Sequence, residues 1–182
     1  ELAGQLRSLQ RQIHGSFLHV CHDLDEALHV ADRVAIMRDG RLVQVGAPEE
    51  VLQYPRDAFV ARFTGNPNVF PVRSAADGQV VLEDGTRLVT DLPTRATAVT
   101  LRPEALRLLE DGAEPGRATV LSGRVTRRIR RSLAQEIQVR LEPGGSLWTL
   151  VADPSCTLDE GDPVRLAAPA GVVWCLPEGQ AD

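Results

Sequence analysis

Aromatic side chains are scarce, 4% of the 182 residues, too few for the ring platforms on which single-stranded nucleic acids stack. Positive charge is not in excess either. Lys plus Arg number 20 against 25 Asp plus Glu, a formal net charge of −5, whereas nucleic-acid binders rely on a basic footprint. No window approaches roughly 18 apolar residues without a charge, so no segment reads as a membrane-spanning helix. The opening ELAGQLRSLQRQ lacks the apolar core of a signal peptide. Cys21, Cys156 and Cys175 are odd in number and scattered. They suit reduced thiols in a cytosolic chain better than a disulfide framework. What is present is 43% hydrophobic residue, enough to bury a core and to exclude wholesale disorder.

The chain has two halves with different grammar. Residues 1–66 read as alternating α and β. Leu2, Leu6, Leu9 and Ile13 recur at helical spacing. No capping residue precedes Glu1, which predicts that this helix is the continuation of a longer chain. Phe17–Cys21 is a short apolar run between Gly15 and His22-Asp23, the pattern of a buried strand. Asp23 is placed to cap a helix from Leu24 to about Ala31. Val34–Arg38 and Arg41–Val45 flank Asp39-Gly40, a strong hairpin signal. Pro48 suits the first position of a short helix, and a further helix is expected from Asp57 to Thr64, ending at Gly65. Asn66-Pro67-Asn68 is a breaker cluster and the expected boundary. Residues 67–182 then switch to period two. Candidate strands are Val69–Ser74, Gln79–Glu83, Thr86–Thr90, Ala96–Leu101, Thr119–Arg131, Ala134–Leu141, Ser146–Ala152, Pro163–Ala168 and Val172–Leu176, separated by Gly/Pro/Asp turns. Many short strands of this kind predict a small barrel or sandwich.

From Phe17 to Asn68 the motifs His22-Asp23, Glu26-Ala27, Ala31-Asp32-Arg33, Met37–Gly40, Gln44–Gly46 and Pro48–Glu50, then Pro55 and Phe63, follow one another in order. This stretch resembles the end of the nucleotide-binding domain of ABC importer ATPases. The remainder resembles the OB-like TOBE regulatory domain of the maltose, sulfate, polyamine, iron and molybdate types. That likeness is carried by Leu101–Leu109 (LRPEALRLL), Gly123-Arg124-Val125 and Gly161–Leu166. The fold class it implies is a partial P-loop α/β segment followed by a β-rich OB-like barrel. The sequence contains no G-x-x-x-x-G-K-[ST] phosphate loop, no Walker B strand and no signature loop. The resemblance therefore implies the C-terminal part of a longer ATPase subunit, with ATP and magnesium serving the parent and none expected on this part alone.

By the same resemblance His22 is the switch histidine, whose ring meets the γ-phosphate of ATP and the attacking water. The residues by themselves leave open a histidine at a strand end with no chemistry. A relay of His22 and Asp23 with Ser132 finds no support, because no G-x-S-x-G elbow exists. His19, Cys21, His22 and His29 do not fall at C-x-x-C or H-E-x-x-H spacing, so a core histidine and a core thiol are expected and no metal. Asp25 and Glu26 are adjacent on a helix and point about 100° apart, which suits first-turn dipole complementation rather than acid–base pairing. Trp148 and Trp174 read as core or edge aromatics. Arg124, Arg127, Arg128, Arg130 and Arg131 form the densest basic run. It reads first as a solvated strand face, then as an anion or regulatory-partner site, and least as a nucleic-acid site. The resemblance further implies a homodimer, membrane-spanning importer subunits as partners, and a place on the inner face of the cell membrane. A regulatory small molecule or oxyanion at the β half is the remaining partner. The rival reading is a standalone sensor module without ATPase activity.

Overall fold

The computed structural model describes residues 2–13, 15–21, 24–91, 96–110, 112–131 and 133–177. It divides into two units, Glu1–Arg56 and Asp57–Asp182.

The first unit contains helices α1 (Leu2–Ile13) and α2 (Leu24–Val30), the hairpin β1 (Val34–Arg38) and β2 (Arg41–Gly46), and helix α3 (Pro48–Gln53). The hairpin forms at the expected dipeptide. Asp39 and Gly40 both take left-handed φ, 50° and 78°, as a two-residue turn matching the twist of its strands requires. Pro48 opens α3, and the Glu50 carboxylate accepts from the Ala47 N–H at 3.4 Å. The expected strand at Phe17–Cys21 is absent. This segment has no regular structure, and Leu18 and Val20 are 94% and 89% exposed. The reason is pairing. A buried strand needs neighbours on its edges, and the only strands described in this unit, β1 and β2, pair with each other.

The second unit opens with α4 (Ala58–Phe63), capped by the Asp57 carboxylate, which accepts from the Val60 N–H at 2.8 Å. Ten strands follow: β3 (Val69–Ala76), β4 (Gln79–Leu82), β5 (Arg87–Val89), β6 (Ala98–Thr100), β7 (Arg107–Leu108), β8 (Ala118–Arg130), β9 (Gln135–Leu141), β10 (Leu147–Ala152), β11 (Pro163–Pro169) and β12 (Trp174–Leu176). They make two five-stranded antiparallel sheets, ordered β12-β6-β3-β4-β5 and β10-β9-β8-β11-β7. Period-two burial governs each strand. On β9, Gln135, Ile137, Val139 and Leu141 face inward while Arg140 is exposed. The inward residues of both sheets share one core that includes Val80, Leu88, Val99, Leu121, Ile137 and Trp148. Trp148 is fully buried and stacks on Phe70 at 4.3 Å between ring centres. Gly123 stands where β8 meets β9: a side chain there would run into the Arg140 carbonyl and come within 2.8 Å of Val139 Cγ1. This explains the glycine of the Gly123-Arg124-Val125 motif.

Candidate functional site

His22, the candidate switch residue, and Asp23 lie outside the described residues, as does Ser132. The neighbouring side chains are placed. His19 Nε2 lies 3.8 Å from the Glu26 carboxylate, and one ligand atom each of His19, Cys21 and Glu26 falls within 4.8 Å of the others. The expectation of a core histidine and core thiol is corrected: His19 is exposed and Cys21 only half-buried, because the strand that would have buried them does not form. Glu26 sits in the first turn of α2.

The second unit holds a buried polar clamp that sequence reasoning missed. Asn66 and Asn68 are 3% and 1% exposed. Asn66 Nδ2 donates to Thr100 Oγ1 at 2.7 Å, and its Oδ1 accepts from the Asn68 N–H at 3.0 Å. The Asn68 amide works as a surrogate peptide on the edge of β10. Its Nδ2 donates to the Thr149 carbonyl at 2.7 Å, and its Oδ1 accepts from the Thr149 N–H at 2.8 Å. Arg102, from the LRPE segment, donates to the Thr64 carbonyl at 3.2 Å and to its hydroxyl at 3.1 Å. Burial pushes this guanidinium below its ordinary value, against the opposing pull of Glu104. The Arg-Pro-Glu segment thus braces the end of α4.

A groove of about 310 Å³ opens between Leu106–Leu108 and Leu150–Cys156. These segments belong to opposite edges of one sheet. Because Asn68 takes both backbone groups of Thr149, those groups point away from β9, and Val151, two residues on, presents its own the same way. On the other edge the Leu109 N–H bonds the Arg165 carbonyl at 2.8 Å, so Leu108 turns its backbone groups away from β11. The rim carries Arg107 and Asp153. The Ser155 hydroxyl and N–H, both donating to Asp153 Oδ1, hold its carboxyl below the ordinary value. Beside the groove Gln135 is 1% exposed. Its Nε2 donates to the Pro154 and Cys156 carbonyls at 2.5 and 2.8 Å, which fixes the loop after β10, while its Oε1 has no hydrogen-bond partner.

The linear basic run does not survive as one surface. Arg124 and Arg127 project from the outer face of β8, paired in register with Arg140 and Gln138. Arg128 turns to the inner side opposite Ile137 and ion-pairs with Asp159 at 3.1 Å. Arg130 lies opposite the inward Gln135, and Arg131 reaches Glu136 at 3.4 Å. A bulge between Val125 and Arg127 shifts the register at that point, and with it the faces that a strict alternation would assign. Trp148 is core, and Trp174, half-buried, packs beside Leu176 and Ala98.

Comparison with known proteins gives three findings. Residues 99–176 match the TOBE domain family. The spermidine/putrescine import ATP-binding protein PotA of Marinobacter nauticus is 32% identical over 187 residues, covering 95% of this chain and 49% of that protein. Its counterparts in Nitratidesulfovibrio vulgaris (30% over 190 residues, covering 97% and 52%) and Methylococcus capsulatus (36% over 158 residues, covering 82% and 40%) agree. The chain therefore spans about half the length of the curated relatives it matches. Among solved structures, the cytoplasmic molybdate-binding protein ModG with molybdate bound superposes with a TM-score of 0.53 at 17% identity, over 62% of this chain and 98% of that one. At this identity the likeness establishes the OB-like fold of the β unit. No helix among the described residues is long and apolar enough to cross a membrane.

Proposed function

This chain is a homologue of the ATP-binding subunits of ABC-type importers and carries their TOBE domain, and on that premise we propose that it works as the C-terminal part of such a subunit. In this reading residues 1–66 complete the nucleotide-binding domain, with the finer P-loop α/β architecture, and residues 67–182 form the regulatory domain. The observation that supports it most is the match over 95% of the chain to one such subunit.

The residues present do not themselves fit a nucleotide. The sequence has no glycine-rich phosphate loop. The cluster that the described residues of the first unit bring together, His19, Cys21 and Glu26, offers a thiol and a carboxylate, the wrong donors for phosphate. ATP and magnesium would be held by the rest of the subunit. His22 would supply the group this chain contributes: an imidazole at the γ-phosphate and the attacking water. Such a group acts by orienting water and stabilising charge rather than by covalent chemistry. The partners are membrane-spanning importer subunits and a second copy of the chain, on the inner face of the membrane. A small anion or metabolite at the groove between β7 and β10 would add regulation to this role. The names of the relatives make spermidine and putrescine the solutes to test first.

The test is a chimera in which this chain replaces the matching residues of the Marinobacter nauticus relative, expressed in cells deprived of their own polyamine-import ATPase. Restored uptake of labelled spermidine or putrescine supports the proposal. A folded chimera that hydrolyses ATP without restoring uptake refutes the solute assignment, and one inert toward ATP refutes the function.

A further inference from the structure

The register of the five-stranded sheet β10-β9-β8-β11-β7 assembles on its outer face a group of arginines that are far apart in sequence. Residues opposite one another in antiparallel strands share a face, and alternate residues return to it. Arg124 of β8 is opposite Arg140 of β9, and Arg127 is opposite Gln138, two residues from Arg140. On β11, Arg165 pairs with Ser122, two residues from Arg124, and Ala167 pairs with both Val120 of β8 and Arg107 of β7. All five arginines are exposed. With strands about 4.8 Å apart and alternate residues about 7 Å apart, they run as a diagonal band about 25 Å long across four strands.

The band is electrostatically unfavourable by itself. Arg124 and Arg140 are like charges in direct register, an arrangement that destabilises a sheet. Each is tied down to a backbone carbonyl, Arg124 to Gly161 at 3.2 Å and Arg140 to Gly145 at 2.9 Å. The glutamates of this face are already engaged, Glu142 with Arg124 at 3.2 Å and Glu136 with Arg131 at 3.4 Å. Arg107, Arg127 and Arg165 have no carboxylate partner among the described residues. A concentrated positive band on a chain of net charge −5 attracts a negative surface.

We propose that this arginine band is a docking surface for an acidic patch on a protein partner. Glu136 and Glu142, interspersed with the arginines, would repel a uniform polyphosphate but suit a protein surface of mixed charge. The face carries no aromatic ring for base stacking, since Trp148 of β10 turns inward. It also lacks the row of exposed large apolar side chains that anchors a protein in a lipid surface. The proposal is independent of His22 and of ATP hydrolysis.

The test uses the full chain and three labelled probes: a poly-L-glutamate peptide, a single-stranded DNA of equal charge, and vesicles rich in phosphatidylglycerol. Arg107→Gln/Arg127→Gln/Arg165→Gln removes the unpaired charges. Arg33→Gln/Arg62→Gln/Arg87→Gln, at exposed positions elsewhere, is a control of equal net charge. Tryptophan fluorescence for the second unit and far-ultraviolet circular dichroism for the whole chain verify the fold of both. The expected result is saturable binding of the peptide that weakens about tenfold or more between about 50 and 200 mM salt. The band variant should lose about tenfold in affinity and the control less than about threefold. Equal loss in both variants, no binding of the peptide, or tighter binding of DNA or vesicles than of the peptide would overturn the proposal.

Discussion

Replacing Asn68 by alanine tests the packing argument at its most demanding point. The side chain is 1% exposed, and Thr149, which it serves, is 4% exposed. The substitution removes two hydrogen bonds, of 2.7 and 2.8 Å, and strands a backbone N–H and a carbonyl where water does not reach. An orphaned buried group costs about 1–3 kcal/mol, so two of them, with the small void, amount to about 3–5 kcal/mol. For a unit of this size that lowers the melting temperature by about 10–20 °C. Asn68→Asp is the sharper variant. It keeps an acceptor for the Thr149 N–H but sets a carboxylate oxygen against the Thr149 carbonyl, so it should be at least as damaging as alanine despite its near-identical shape. The assay is urea unfolding followed by tryptophan fluorescence. It reports the second unit alone, because the two tryptophans are Trp148 and Trp174. A midpoint for Asn68→Ala that corresponds to less than about 0.5 kcal/mol, with an unchanged slope, would show that the amide does not bridge the two sheets as described.

Further outcomes follow from the same geometry. Gly123→Ala should destabilise the second unit by about 2–4 kcal/mol, since the new methyl meets the Arg140 backbone rather than a movable side chain; the same unfolding assay checks it. Asp84 contributes a pH dependence of known sign. Burial pushes its carboxyl up, but hydrogen bonds from Ser146 and Thr86 outweigh this and hold it below the ordinary 3.8. Its stabilisation is therefore complete above the unfolded carboxyl value and is lost as pH falls through the lower native value. Asp84→Asn should flatten the acid side of the urea midpoint against pH, below about pH 4, and leave the dependence near neutrality unchanged. The 182-residue chain alone should show no magnesium-dependent ATP turnover above background, measured by phosphate release, because no phosphate loop is present.

Much of the β unit was legible because its strands obey one local rule. Alternation and Asp/Gly turns set the extents of β8, β9, β10 and β11 nearly to the residue. Asp77-Gly78, both with left-handed φ, turns β3 into β4 and carries the same dipeptide signal as Asp84-Gly85. The Asn66-Pro67-Asn68 cluster shows where composition misleads. Its residues are those of an exposed linker, yet both asparagines are buried as hydrogen-bonding plugs, a role fixed by Thr100 and Thr149, far along the chain. Phe17–Cys21 failed for the opposite reason: its apolar run meets no partner strand among the described residues. The arginines were misgrouped because sequence proximity is not facial proximity. A bulge after Val125 and a two-residue period separate Arg127 from Arg128, while the sheet brings Arg107 and Arg165 alongside Arg124. His22 lies outside the described residues, and its assignment rests on the motifs around it alone.

The most direct test of the account is steady-state ATP hydrolysis by the purified chimera with the Marinobacter nauticus relative, compared with its His22→Ala variant. A switch histidine predicts turnover that falls about 100-fold or more in the variant with ATP binding retained. An active chimera whose turnover is unchanged by His22→Ala would contradict the assignment of this chain to the catalytic cycle of an importer ATPase.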